Sequence, residues 1–205
     1  MEHKVIRERA TRDNFRERDY LKANPDVAAA IGSGGLTSAW THFTHHGEAE
    51  RRFQYVQSIP YDWKREKLDF VKAHLRGDVT YRETTSHLDF LSEDQRPEAA
   101  TTEIKESANQ YDDVVRELLK RNRNGWVLDF GAGHRPLYYR RVVNMEIEPY
   151  PTTDVVAVGE SVPFADDVFD AVICSAVLEH VPDPFRCARE ISRILKPGGE
   201  LFCSV

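Results

Sequence analysis

Residues 126–136, Trp-Val-Leu-Asp-Phe-Gly-Ala-Gly-His-Arg-Pro, constrain this chain more than any other stretch. Val127 and Leu128 follow the polar run Lys120-Arg-Asn-Arg-Asn-Gly125 and read as a short strand, apolar on both faces as in a parallel sheet. Asp129 is expected to end that strand. Gly131 and Gly133 then form a turn tight enough for a ligand to approach the backbone, and the amides after such a turn attract the polar end of a ligand. Taken alone, Gly-x-Gly fits an ordinary strand-to-helix turn equally well, so the weight rests on the chain downstream of Pro136.

From Trp126 onward strands and helices alternate. Val142–Met145 reads as a second strand with Glu146 at its end, residues 154–158 as a third, and residues 169–175 as a fourth. Asp183 and Pro184 cap a helix whose inner face is expected to carry Phe185, Ala188, Ile191 and Leu195. Lys196-Pro-Gly-Gly199 should stop it, and residues 200–205 make a fifth strand. Repeated strand-helix-strand order implies an α/β fold: a Rossmann-like open parallel sheet with right-handed crossovers. Upstream, Ile104, Ala108, Tyr111, Val115 and Leu118 recur at helical spacing and predict a helix over 101–121 beside the first strand.

The first half divides differently. Residues 1–53 read as a small helical module. Asn24 caps a helix with Pro25 at its first position, the Gly32-Ser-Gly-Gly run breaks it, and Ser38 restarts a helix that stops at Gly47. This stretch resembles a small module appended to assorted bacterial proteins, and that resemblance implies no chemistry. His42, His45 and His46 share a helix face; a metal site there competes with plain polar packing at the helix end, and no metal is expected. Residues 54–100 read as a connector or a lid, with an amphipathic helix from Tyr61 to Leu75 that buries Leu68, Val71 and Leu75. Glu83 and Asp89 are expected to be solvated carboxylates. Residues 101–205 form the Rossmann-like domain.

Composition bounds the partners. The net charge of −6 argues against nucleic acid. The three cysteines, Cys174, Cys187 and Cys203, show no metal spacing and suit buried thiols in a reducing compartment. No apolar run is long enough to span a membrane, and the charged N-terminus lacks a secretory core, so a cytoplasmic location is expected.

Four segments together are similar to class I S-adenosylmethionine-dependent methyltransferases of the type 11 branch: Val127-Leu-Asp-Phe-Gly-Ala-Gly, Val142-Val-Asn-Met-Glu-Ile-Glu-Pro149, Ser161-Val-Pro-Phe-Ala-Asp-Asp-Val-Phe-Asp-Ala-Val, and Ser175-Ala-Val-Leu-Glu-His-Val-Pro-Asp-Pro184 with the later Leu195-Lys-Pro-Gly-Gly-Glu-Leu. The resemblance covers residues 126–205. It implies S-adenosyl-L-methionine as cofactor, with Gly131 and Gly133 facing its methionine end, Asp129 holding the loop or reaching the amino group, and Glu146 accepting both ribose hydroxyls. Many relatives read adenine with an acidic residue after the third strand. Val158 and Gly159 stand there, so Glu160 either substitutes or is exposed, and Phe164 either borders the adenine or belongs to the core. Ser175, Glu179 and His180 fall where methyl group and acceptor should meet; His180 is a candidate general base or simply shapes the loop. In-line displacement from a sulfonium can run on alignment alone.

Two departures accompany the match. His134 to Arg141 is too short for a full crossover helix, so the first helix should shrink to about one turn, and the connection from Ile147 to Thr153 is too short for any. Arg135 stands where many relatives have a third glycine. The family sheet has seven strands while the pattern in this chain ends at the fifth, which is expected for a fragment of a longer protein or for an edge that a partner covers. The leading expectation is methyl transfer to a small molecule or glycan. A non-catalytic cofactor-binding or interaction module and a dinucleotide oxidoreductase are the competing readings; the latter lacks its third glycine.

Overall fold

The computed structural model describes residues 2–4, 6–57, 59–77, 79–96 and 110–205. The chain forms two compact units, residues 4–59 and residues 60–205 together with 1–3.

In the smaller unit Ile6–Arg9 (β1) pairs antiparallel with Phe53–Gln57 (β2). Between them run Glu17–Ala23 (α1), Pro25–Gly32 (α2) and Ala39–His42 (α3), which continues as a wider π turn over Phe43–Gly47. Tyr20, Val27, Ala39 and Phe43 are the core. Pro25 opens α2 as expected, but Asn24 does not cap it. Its amide instead donates to the carbonyls of Tyr20 and Phe53, satisfying main-chain acceptors inside the unit. Ser38 does cap α3, accepting from the Thr41 amide at 3.0 Å. His42 is buried with Nδ1 3.0 Å from the Tyr20 hydroxyl, and His45 Nδ1 lies 2.7 Å from the Thr41 carbonyl. No described group of three or more His, Cys, Asp or Glu is arranged to hold a metal.

The larger unit is built on one seven-stranded sheet. Among its elements are Tyr61–Ala73 (α4), Arg82–Glu83 (β3), Leu88–Asp89 (β4), Asp113–Arg121 (α5), Val127–Phe130 (β5), Leu137–Tyr139 (β6), Val142–Glu146 (β7), Val155–Val156 (β8), Phe169–Ser175 (β9), Pro184–Ile194 (α6) and Leu195–Ser204 (β10). The sheet order is β10-β9-β5-β7-β8-β4-β3. Every neighbouring pair is parallel except β3 with β4. The fold class expected from the sequence is therefore the one observed. Side chains alternate between two faces: Leu128, Phe130 and Val143 pack under α4 and α6, whereas Val127, Val142 and Ile173 pack with Val115 and Leu118 of α5. No helix among the described residues is long and apolar enough to cross a membrane.

Several expectations need correction. Asp129 does not end its strand; it sits inside β5, fully buried, opposite Ile173 and Asn144. The segment after the glycine loop contains no helical turn. Pro136 disfavours helical backbone at Arg135, and Leu-Tyr-Tyr runs on as extended β6. The stretch read as connector or lid supplies β3 and β4, so the sheet reaches seven strands on the side away from β10. Asp89 is not solvated. It is buried and accepts from Arg82 and Arg96; burial would raise its carboxyl, but the Leu91 amide and Arg96 hold it below the usual range. Glu83, by contrast, is exposed and pairs with Lys72.

The helix α6 is capped by Asp183 as expected, but its inner face is Cys187, Ile191 and Ile194. Phe185 is 77% exposed and Ala188 is exposed too. The spacing i, i+4, i+7 of that stripe places both outside it. Leu195 already pairs with Phe169, so Lys196-Pro-Gly-Gly199 is an irregularity within the β9–β10 ladder and not a separate turn. Helix α5 begins only at Asp113, where Asp112 accepts from the Val115 amide; Ile104 and Ala108 lie outside the described residues. Cys174 and Cys187 are buried, but Cys203 is exposed on the outer strand.

Candidate functional site

The chain runs from β5 to β7 on one side and later returns to β9 on the other, so the sheet order reverses between β5 and β9. Ligands of open α/β sheets bind beyond the carboxyl ends of the strands at such a switch point. The loops after β5, β7 and β9 all emerge there.

Gly131 and Gly133 occupy left-handed backbone, at φ 70° and 59°. A β-carbon on Gly131 would come within 2.4 Å of Val177 Cγ2, so the loop after β9 lies directly on the loop after β5. The amides of Gly131 and Ala132 both donate to the Met145 carbonyl, tying the glycine loop to β7. Glu146 closes this arrangement. Its Oε2 accepts from the Gly133 amide at 2.7 Å and its Oε1 from the Ile147 amide at 2.8 Å. Burial raises the Glu146 carboxyl above the ordinary glutamate value, with the Gly133 and Ile147 amides opposing that shift. Each carboxylate oxygen has two acceptor positions, and the Gly133, Ile147 and Glu148 amides do not fill all four, so acceptor capacity remains for a hydroxyl donor.

Asp129 is engaged elsewhere. Arg135 Nε donates to its Oδ2 at 2.8 Å and Nη2 to its Oδ1 at 3.1 Å, and the Tyr111 hydroxyl donates to Oδ2 at 2.6 Å. The Arg135 guanidinium also lies 4.6 Å from the Tyr111 ring centre. All three side chains are buried. Burial, reinforced by the Asp129 charge, pushes the Tyr111 hydroxyl well above its ordinary value, so it stays a donor. Asp129 thus holds the segment after the loop, through Arg135.

The remaining candidates divide. Glu160 Oε1 accepts from the Asp183 amide at 3.2 Å and so holds the start of α6. Gly159 is packed tightly: a β-carbon there would lie 2.5 Å from the Phe130 ring and 3.0 Å from Cys187 Sγ. Phe164 is fully buried, edge-on to Phe169 at 4.8 Å, and belongs to the core. Ser175 Oγ sits 3.0 Å from Ser204 Oγ of the adjacent strand. Just after it Ala176 adopts φ 54°, a costly conformation for a residue with a β-carbon, at the switch point itself. Glu179 and His180 are both exposed on the loop that follows.

Sequence reading missed a second buried network behind this edge. Asp154 is fully buried and accepts from Lys64 at 2.7 Å, Lys67 at 3.0 Å, the Asn144 amide at 2.9 Å and the Tyr138 hydroxyl. Burial lowers the Lys67 ammonium to about 7, against the pull of Asp154. The sequence pattern of that helix marked only its apolar stripe, Leu68, Val71 and Leu75. Only the spacing of the two lysines beside Leu68 and Val71 hinted that they point the same way.

Residues 128–203 match the family described as a methyltransferase domain. Among curated relatives, a ubiquinone biosynthesis O-methyltransferase of Xanthomonas oryzae is 61% identical over 36 residues, 18% of this chain and 15% of that protein. A methyltransferase of Mycobacterium sp. (strain KMS) whose function is uncharacterized is 51% identical over 45 residues, 22% of this chain and 18% of that protein. The chain thus spans less than a fifth of the length of either relative. Among solved structures, a SAM-dependent methyltransferase of Thermotoga maritima aligns at 24% identity with a TM-score of 0.33, covering 42% of this chain and 48% of the other.

Proposed function

We propose that the chain, whose residues 128–203 match a methyltransferase domain, is a class I methyltransferase of the type 11-like kind that binds S-adenosyl-L-methionine and transfers its methyl group to a small-molecule or glycan acceptor. The observation that carries this reading is the hydrogen bond from the Gly133 amide to Glu146 at the switch point. It joins a ligand-approachable loop to a carboxylate with acceptor capacity to spare, a donor-acceptor set that fits a nucleoside ribose.

In this reading Glu146 accepts from both ribose hydroxyls, and Gly131 and Gly133 let the methionine end approach the backbone. Asp129 acts through Arg135 to hold that loop, as a positioning residue. When bound, the cofactor supplies a methyl group already activated on a sulfonium, so alignment of the acceptor is the chain's main task. Ser175, Glu179 and His180 flank the place where that acceptor would sit, with His180 exposed and available to take a proton at its imidazole. Glu160 serves the start of α6 and contributes to the adenine end only from the rim.

The test is competition followed by transfer. Radiolabelled S-adenosylmethionine bound to the chain should be displaced by S-adenosylhomocysteine and not by NAD, and label should pass to one member of a panel of phenols, amines and glycans. Displacement by NAD alone would overturn the reading in favour of a dinucleotide oxidoreductase. Tight binding with no transfer to any acceptor would favour a non-catalytic cofactor-binding module.

A further inference from the structure

A cavity of about 470 Å³ opens at the amino-terminal ends of β5 and β7, where Val127 and Val142 are the first residues. The glycine loop and Glu146 lie at the carboxyl ends of the same strands, so the cavity sits at the opposite edge of the sheet.

Its origin is the shortened crossover. The step from β5 to β7 and the step from β9 to β10 run in opposite directions along the sheet. Right-handed connections therefore place them on opposite faces. Helix α6 covers the face of Leu128 and Cys174. A helix after β5 would cover the other face, beside α5. The chain passes that place as the three-residue strand β6, and space is left between α5 and β7.

The lining has two chemical characters. The floor is apolar, from Leu119, Val127, Tyr139 and Val142. Around it stand four cations, Arg116, Lys120, Arg123 and Arg141, and none of the described lining residues is acidic. In a chain of net charge −6 this is a local reversal of sign. Three of the cations have carboxylates outside the cavity: Arg116 with Asp113 at 3.0 Å, Lys120 with Glu117 at 2.5 Å, and Arg141 with Glu66 at 3.4 Å. The Arg116–Asp113 and Lys120–Glu117 pairs are solvent-exposed and screened by water and salt, whereas Glu66 is half-buried and also engages Arg140, so an anion within the cavity competes most readily for Arg116, Lys120 and Arg123. The Arg141 guanidinium also lies 4.7 Å from the Trp126 ring centre.

We propose that this cavity binds a phosphate monoester carrying an apolar aromatic or aliphatic body. The volume suits a small-molecule ligand, and a mostly apolar wall with a few convergent polar groups is the usual make-up of such sites. The head group is assigned by charge: guanidinium forks and an ammonium match phosphate oxygens, and a dianion engages more than one of the four cations. The body lies on the valines, Leu119 and Tyr139. This site stands on its own geometry and is independent of the cofactor reading.

The experiment is calorimetric titration of the intact chain with 1-naphthyl phosphate, with inorganic phosphate and 1-naphthol run in parallel. The expected result is saturable one-to-one binding of naphthyl phosphate, at least about tenfold tighter than either control. It should weaken at least about tenfold as salt rises from about 0.05 to about 0.5 M. The Arg123→Gln/Arg141→Gln double variant should lose at least tenfold while its urea midpoint stays within experimental error of wild type. An Arg123→Gln single variant, exposed and outside the core, gives the same test if the double variant is unstable. No saturable binding by the folded wild type overturns the proposal, as does unchanged binding in a folded variant. Equal binding of inorganic phosphate would show a surface ion patch, and equal binding of naphthol an apolar hollow; either result overturns the proposal. Sedimentation in the same buffer covers the remaining occupant: a dimer abolished by the double variant would assign the cavity to a second copy of this chain, against the proposal.

Discussion

The Arg135 guanidinium forks onto the Asp129 carboxylate, at 2.8 and 3.1 Å, with both side chains buried. Arg135, just past the glycine loop, is thus the counter-ion of a carboxylate in the strand beneath the loop. Removing one partner of a buried pair leaves an uncompensated charge. Arg135→Met should therefore lower stability by about 3 kcal/mol or more, and Arg135→Met/Asp129→Asn should recover much of that loss. Urea unfolding of the two variants measures it. Equal stability of both would show that the pair does not hold the loop.

Tyr111 shares the same carboxylate. Tyr111→Phe removes a buried hydroxyl donor to a charged acceptor and should cost about 1.5–3 kcal/mol. The loss should be much smaller in an Asp129→Asn background, which a double-mutant cycle reads directly.

Gly131 is constrained twice, by φ 70° and by Val177 at 2.4 Å from the position of a β-carbon. Gly131→Ala should lose about 1–2 kcal/mol from the backbone alone and more from the contact. Adding Val177→Ala should relieve the contact and leave the backbone term, so the double variant should recover part of the stability and not all. Full recovery would assign the whole cost to packing.

Lys67 titrates in an unusual place. Its folded value, lowered to about 7 by burial, lies below the ordinary value of 10.5 that it regains on unfolding. Between those limits the unfolded chain binds the additional proton, so this lysine makes stability rise with pH from about 7 to about 10.5, by up to about 1.4 kcal/mol per pH unit. Lys67→Met should flatten that rise. Urea midpoints across the window, compared between the two proteins, test it; parallel curves would contradict the assignment.

Much of this was legible from the chain itself, and the failures have physical causes. The strands at 142–146 and 169–175 stood out because runs buried on both sides in a parallel sheet are nearly continuous in apolar residues. Glu146 could be placed because a strand end follows from where such a run stops. Asp129 was misplaced at the end of its strand because a carboxylate normally marks an exit. Its counter-ion lies six residues on, and the pairing depends on a loop path that periodicity does not encode. The short strands at 82–83 and 88–89 carry too few residues for any period to emerge. Lys64 and Lys67 were hidden for the reverse reason: the helix pattern was clear, but their charges are neutralised by Asp154, which lies far away in sequence.

The raised carboxyl of Glu146 carries a prediction for the cofactor reading. Ribose hydroxyls hydrogen-bond best to the ionised form, so affinity for S-adenosylhomocysteine should be full above the folded titration point. It should fall as pH drops through a point above the ordinary glutamate range. A pH series of binding constants tests it, and an affinity flat down to the ordinary range would contradict it.

Glu146 and the Gly131–Gly133 loop are proposed to form a nucleoside-binding edge. The most direct test is calorimetric titration of S-adenosylhomocysteine into the chain and into Glu146→Ala. The expected result is micromolar binding by the wild type and a loss of at least about thirtyfold in the variant, the equivalent of roughly 2 kcal/mol for hydrogen bonds to a charged acceptor. Equal affinity in the folded variant, or no binding by the folded wild type, would contradict it.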